Sequence, residues 1–194
     1  MNLIKKICTA FFLTFFIFGF SDVANAESQQ IQTGKILKKI PFKVEGLVEY
    51  SGHYYKVFDE SLNWEQAKNR CEEMGGHLVT ITDIYENNFV TKLISNFRKN
   101  CYWIGNKLNA ENQQAWITDE KMNYSNWAEG EPDNYQGKQG YGLIIAKEFQ
   151  GTWIFPGKWS DIEIDGNSWD KHSFWGMNNF GFICEWENYN DIKI

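Results

Sequence analysis

Residues 126–142 read NWAEGEPDNYQGKQGYG, and within them Glu131, Asp133 and Asn134 crowd around Pro132. Side chains of these types suit one of two jobs. They can shape a tight turn, because proline presets φ for the second position while Asp and Asn bond their own backbone. They can also form one wall of a metal site, because calcium takes about 6–8 oxygen ligands near 2.3–2.6 Å and leaves room for exchangeable ones. Locally a turn explains the residues, so the rest of the chain must decide.

Other reactive side chains are sparse. His53, His77 and His172 show no paired metal-ligand spacing, and neither a Gly-x-Ser-x-Gly elbow nor a Walker loop occurs. The chain is therefore read as a non-enzyme; Cys101 with a distant histidine is the one arrangement that could make a thiol nucleophile.

The start of the chain sets the redox setting. Lys5 and Lys6, the apolar run Ile7–Phe20 and the small residues Ala24–Ala26 form the three parts of a signal peptide. The run is shorter than the roughly 20 apolar residues of a membrane span. Cleavage is expected after Ala26, which makes 1–26 a signal peptide and the mature protein secreted, with no transmembrane span after it. Of the cysteines, Cys8 leaves with the signal and Cys71, Cys101 and Cys184 remain. Outside the cell disulfides persist, so one pair and one odd thiol are expected, with all three pairings open from counting alone.

The formal charge is −6, which offers no electrostatic footprint for nucleic acid or anionic membrane. An aromatic share of 17% with nine Trp is enough for a core and leaves rings to spare for flat apolar ligands. Residues 27–48 are polar, then basic, and read as a linker or arm. Its Lys35, Lys38, Lys39 and Lys43 read as a solvated run.

The positioning elements follow from periodicity. His53–Phe58 alternates and is aromatic, which predicts a strand. A helix is predicted over about 63–74: Asn63 with Gln66 makes the cap, Trp64, Ala67, Cys71 and Met74 share a face, and Gly75-Gly76 supplies the stop. A short strand, HLVTIT, is followed by Thr82 or Asp83 capping a second helix whose expected buried face is Tyr85, Phe89, Val90, Leu93 and Phe97. Beyond Cys101, short apolar pieces such as CYWIG, QAWITD, YGLIIA, TWIF and FGFICEW are separated by Gly, Asn and Asp. They predict short strands joined by long irregular loops, an α+β architecture. Trp116, Trp127 and Trp159 read as core or loop-packing residues. Trp153, Trp169 and Trp175 lie where sugar stacking or a protein contact could occur.

In order, the aromatic strand, NRCEEMGGHLVTIT, the second helix, YWIG, WITDEKMNYSNWAEGEPDN, GKWSD and FGFICEW resemble the C-type lectin-like domain over residues 49–187. The resemblance leaves 188–194 as a C-terminal tail. It implies a Cys71–Cys184 disulfide, with Cys101 left over as a buried thiol or an intermolecular link. The family's second pair is absent, Tyr141 standing where its first member would be.

In sugar-binding members of that family, calcium is held by a Glu-Pro-Asn type tripeptide, a downstream Glu, and an Asn-Asp pair after a Trp. Carried over, Glu131, Pro132 and Asp161 match. Asp133 replaces the amide, Ser160 the Asn, and Gln139 lies about where the downstream Glu belongs; Asn134 would supply an amide if the loop shifted by one residue. Glu131, Asp133 and Asp161 thus remain as metal ligands, while the amide donors that hold a hydroxyl are fewer. The family's proline is usually cis, whereas a trans bond would favour the plain turn. The resemblance implies a secreted module that recognises a carbohydrate, assisted by Ca2+. The alternative is a metal-independent adhesin or interaction domain that binds a surface protein.

Overall fold

The cap predicted at Asn63 fixes the register of everything that follows it. In the computed structural model, which describes residues 44–148, 155–166 and 180–194, the Asn63 side chain accepts from Gln66 N–H and the Gln66 side chain accepts from Asn63 N–H. Helix α1 runs Trp64–Glu73 and buries Trp64, Ala67 and Cys71, with Met74 also in the core. Gly75, at φ +82, ends it. The signal peptide, residues 27–43 of the arm, Trp153, Trp169 and Trp175 lie outside the described residues.

Strands β1 (Val48–Tyr50) and β2 (His53–Phe58) precede α1, and the two-residue β3 (His77–Leu78) follows it. Helix α2, Ile84–Ile94, starts where Asp83 accepts from the N–H groups of Tyr85 and Glu86. Its buried face differs from expectation. Glu86, Asn87, Val90 and Ile94 point inward, Phe89 and Leu93 are half-buried, and Tyr85 is 72% exposed. The polar pair is buried because it is bonded. Glu86 Oε1 accepts from Tyr55 OH at 2.8 Å and Oε2 from Thr82 N–H at 2.8 Å. Asn87 donates to the Gly157 carbonyl at 3.1 Å and accepts from Trp159 Nε1 at 2.8 Å.

The remaining strands are β4 (Cys101–Leu108), β5 (Gln114–Trp116), β6 (Tyr141–Ile145), β7 (Trp159–Ile162) and β8 (Phe180–Trp186). They form one sheet in the order β1-β2-β8-β4-β6-β7, with β3 added on β8 and β5 on β4. Strand β4 runs past the expected CYWIG piece because Gly105 lets the Leu78 carbonyl approach: a Cβ there would lie 2.6 Å from that oxygen. One apolar cluster packs α1 against Trp103, Phe180, Phe182 and Trp186. The other packs α2 against Tyr55, Tyr102, Ile104 and Trp159. The described unit is thus an α+β sheet with a helix on each of two cores, and the long β5–β6 connection carries EPDN.

The cysteines depart from the implied pairing. Cys71, Cys101 and Cys184 are all buried free thiols, so no Cys71–Cys184 disulfide is formed in this structure. The two partners are nonetheless neighbours, with Cys184 Sγ 3.9 Å from the Cys71 carbonyl. Cys101 is fully buried on β4, opposite Ile145 on one side and Phe180 on the other.

Candidate functional site

The site residues hang from β7. Trp159, fully buried, receives the rings of Trp116, Tyr124 and Trp127 edge-on at 5.5, 5.6 and 5.6 Å. Ala128 N–H donates to the Trp159 carbonyl at 2.8 Å, and Trp159 N–H donates to the Asn126 carbonyl at 3.0 Å. The loop leading into EPDN is therefore clamped to the first residue of β7, two positions before Asp161.

Asp161 then grips the loop from below. It is 2% exposed, its Oδ1 accepts from Asp133 N–H at 3.1 Å, and its Oδ2 accepts from Asn134 N–H at 3.1 Å. Asn134 meets this demand in the left-handed region, φ 41 and ψ 48. The Glu131–Pro132 bond is cis, as in the family that the sequence resembles.

Sequence positions 131, 133 and 161 converge. Glu131, Asp133 and Asp161 each offer a carboxylate oxygen, and the three lie within 4.8 Å of one another. Burial, then the neighbouring Asp161 and Asp133, push the Glu131 carboxyl up to about 8. Burial also raises Asp161, although Glu131 and the two loop amides pull it back. Crowded carboxylates with elevated proton affinity are a common mark of a ligand site, because burial and like charge disfavour ionisation until a cation or proton arrives.

The donor set fits a hard cation. Glu131 Oε2 and Asn134 Oδ1 are buried acceptors with no hydrogen-bond partner among the described residues. A buried acceptor without a donor is costly unless something positive faces it. Glu131, Asp133 and Asp161, with Asn134 beside them, are the residues that would hold calcium, and calcium would supply open coordination positions for hydroxyls.

The other expected site residues take different parts. Ser160 is half-buried, and its hydroxyl donates to the Asp161 carbonyl at 3.3 Å. Gln139 turns inward at 7% exposure, with Oε1 accepting from Tyr135 N–H at 3.2 Å. It closes the turn at Tyr135–Gly137. Gln139, Asn134, Lys107, Lys138 and Tyr141 line a hollow of about 240 Å³, which Glu131, Asp133 and Asp161 do not line. A further cluster, His53, Glu185 and Glu187, escaped sequence reasoning, because a strand pairing rather than a motif assembles it.

Comparison with known proteins agrees with this architecture. Residues 60–155 match the family model of the lectin C-type domain. Snaclec 3 of Sistrurus catenatus edwardsii is 38% identical over 92 residues, covering 43% of this chain and 61% of that protein. The perlucin-like protein of Mytilus galloprovincialis is 37% identical over 93 residues, 46% of this chain and 60% of that one. The chain thus spans about three fifths of the length of these relatives. Among solved structures, human lithostathine superposes with a TM-score of 0.59 at 22% identity, covering 75% of this chain and 99% of that one. The Ca2+-independent C-type lectin SPL-2 from Saxidomus purpuratus does so at 0.58 and 27% identity, covering 74% and 93%. The chain has the fold of these C-type lectin-like domains, and its residues 60–155 match the family's model. No helix of the described residues is long and apolar enough to cross a membrane.

Proposed function

We propose that the protein is a secreted binding module that recognises a carbohydrate, assisted by calcium held between Glu131, Asp133 and Asp161. The supporting observation is the convergence of these carboxylates within 4.8 Å, with Glu131 Oε2 and Asn134 Oδ1 left as buried acceptors. Asn134 offers the amide that Asp133 lacks, so a hydroxyl could find an NH2 donor one residue later in the loop. Export after Ala26 accompanies this reading, and so does oxidation of the neighbouring Cys71 and Cys184, which a non-reducing peptide map would register.

A glycan array on the full chain, run with calcium and with excess chelator, tests the reading. Calcium-dependent retention on a defined sugar, with a calcium-induced rise in Tm, is the expected result. Unchanged melting and unchanged glycan binding in chelator would sink the calcium form.

One observation favours a metal-independent second reading. Asp161 already closes the loop through two backbone N–H groups, doing with a carboxylate what a metal would otherwise do. Tyr135 and Phe155 are exposed apolar rings, and they suit contact with a surface protein. Binding that survives chelator and follows Tyr135→Ala would select this reading.

A further inference from the structure

His53 and His77 are 24 residues apart in the chain, yet β8 brings them together. Strand β8 pairs with β2 through Tyr55 opposite Glu185, and with β3 through His77 opposite Glu185. The first residue of β2 and the first of β3 therefore flank the end of β8, where Glu185 and Glu187 project.

The hydrogen positions on these rings can be deduced. His77 Nδ1 lies 2.9 Å from the Leu78 carbonyl. A carbonyl only accepts, so Nδ1 carries the hydrogen. Its Nε2 is left facing Glu187 Oε1 at 3.3 Å. His53 repeats the pattern: Nδ1 donates to Glu185 Oε1 at 2.7 Å, and Nε2 faces Glu187 Oε2 at 3.2 Å. In their neutral forms both rings point a lone pair at the two oxygens of one carboxylate. Lone pairs so opposed repel unless positive charge stands between them.

The supports behind these groups are firm. Glu185 is 1% exposed, and its Oε2 accepts from Thr80 N–H at 2.9 Å. Holding Nδ1–H with a carboxylate or a carbonyl is how proteins orient metal-binding imidazoles and raise their basicity. Glu187, by contrast, has a side chain 52% exposed and opens to solvent. Glu185, Glu187 and His53 each offer a ligand atom within 4.8 Å of one another. Each Nε2 approaches a different oxygen of the Glu187 carboxylate, at 3.2 and 3.3 Å, so one carboxylate stands between the two rings.

We propose that His53, His77 and Glu187, oriented by Glu185 and the Leu78 carbonyl, form a site for a zinc-class divalent transition ion, separate from the loop carboxylates. Imidazole nitrogens select such an ion over calcium, which prefers oxygen. The three described cysteines are buried and do not compete for it. Unlike the loop site, this one ties together β2, β3 and the end of β8, so its ion acts on stability rather than on a glycan.

The test uses the full chain without an affinity tag, stripped with chelator and titrated with cobalt(II), then zinc, in the presence of excess calcium. One ion per chain is expected, with the intense visible absorption of four-coordinate cobalt, displaced by zinc, and a raised Tm. Glu187→Gln and His77→Gln should each weaken binding at least tenfold, and Asp161→Asn should leave it unchanged. Glu187 lies at the rim, with its side chain 52% exposed, so Glu187→Gln keeps the test decisive even if His77→Gln does not fold. Absence of the cobalt band, affinity indifferent to Glu187→Gln and His77→Gln, or loss of the ion in Asp161→Asn would each overturn the proposal; the first result would mean that two protons fill the gap.

Discussion

Replacing Glu131 by Gln keeps the shape of the side chain and removes the charge that burial and its two aspartate neighbours disfavour. In the metal-free fold this carboxyl titrates at about 8, against an ordinary value of 4.5. The sign follows directly: the folded state binds the proton more tightly than the unfolded chain, so this group costs stability as pH rises from about 4.5 to about 8. At pH 7 the accumulated cost is roughly 3 kcal/mol at full strength, and about 1.5 kcal/mol after screening of a partly exposed group. Glu131→Gln in chelator should therefore gain about 1–2 kcal/mol at pH 7, a few degrees of Tm, and nothing at pH 4.5. Calcium should reverse the order, raising the Tm of the parent more than that of the variant. Thermal unfolding at pH 4.5 and 7, with and without calcium, measures all four values. A variant no more stable than the parent at pH 7 in chelator would refute the argument, because it would mean that Glu131 is ionised and satisfied without a metal.

Three further outcomes are expected. Asn87→Ala strands the buried Trp159 Nε1–H, while the Gly157 carbonyl keeps the Asn126 amide at 2.8 Å, and should cost about 1–3 kcal/mol in urea denaturation. Gly76→Ala would place a Cβ 2.3 Å from the Glu185 carbonyl and 2.9 Å from Trp186 Nε1; with backbone on one side, a loss of about 3 kcal/mol or a failure to fold is expected. Burial pushes the Cys101 thiol well up, so alkylation followed by mass spectrometry should label Cys101 only as the chain unfolds, and rapid labelling of the native protein would contradict that.

Helix α1 was legible in full, because its cap, its apolar stripe and its glycine stop all lie within one short window. Helix α2 was legible in extent but not in orientation. Glu86 and Asn87 are buried by partners at Tyr55, Gly157 and Trp159, which no local window contains, and the apolar Tyr85 is left outside. Strand β4 outran its expected end for the same reason, since Gly105 reads as a breaker until the Leu78 carbonyl is seen to need its missing side chain. Glu131 and Asp161 are 30 positions apart, so the order of motifs along the chain, rather than any spacing, united them. Nothing comparable marked His53 and His77, whose meeting depends on β8 lying between β2 and β3.

Trp159 acts as a socket. One ring from β5, two from the loop after it and one amide from α2 converge on a single indole, while Asp161 two residues later holds the loop at Asp133 and Asn134. The segment between Ile117 and Gly140 is thus fastened at a few points to a frame that does not depend on its other residues. For protein engineering it is an exchangeable cartridge: variation at 129–138 that spares Trp127, Asp161 and their partners should change what the surface recognises while leaving the scaffold intact.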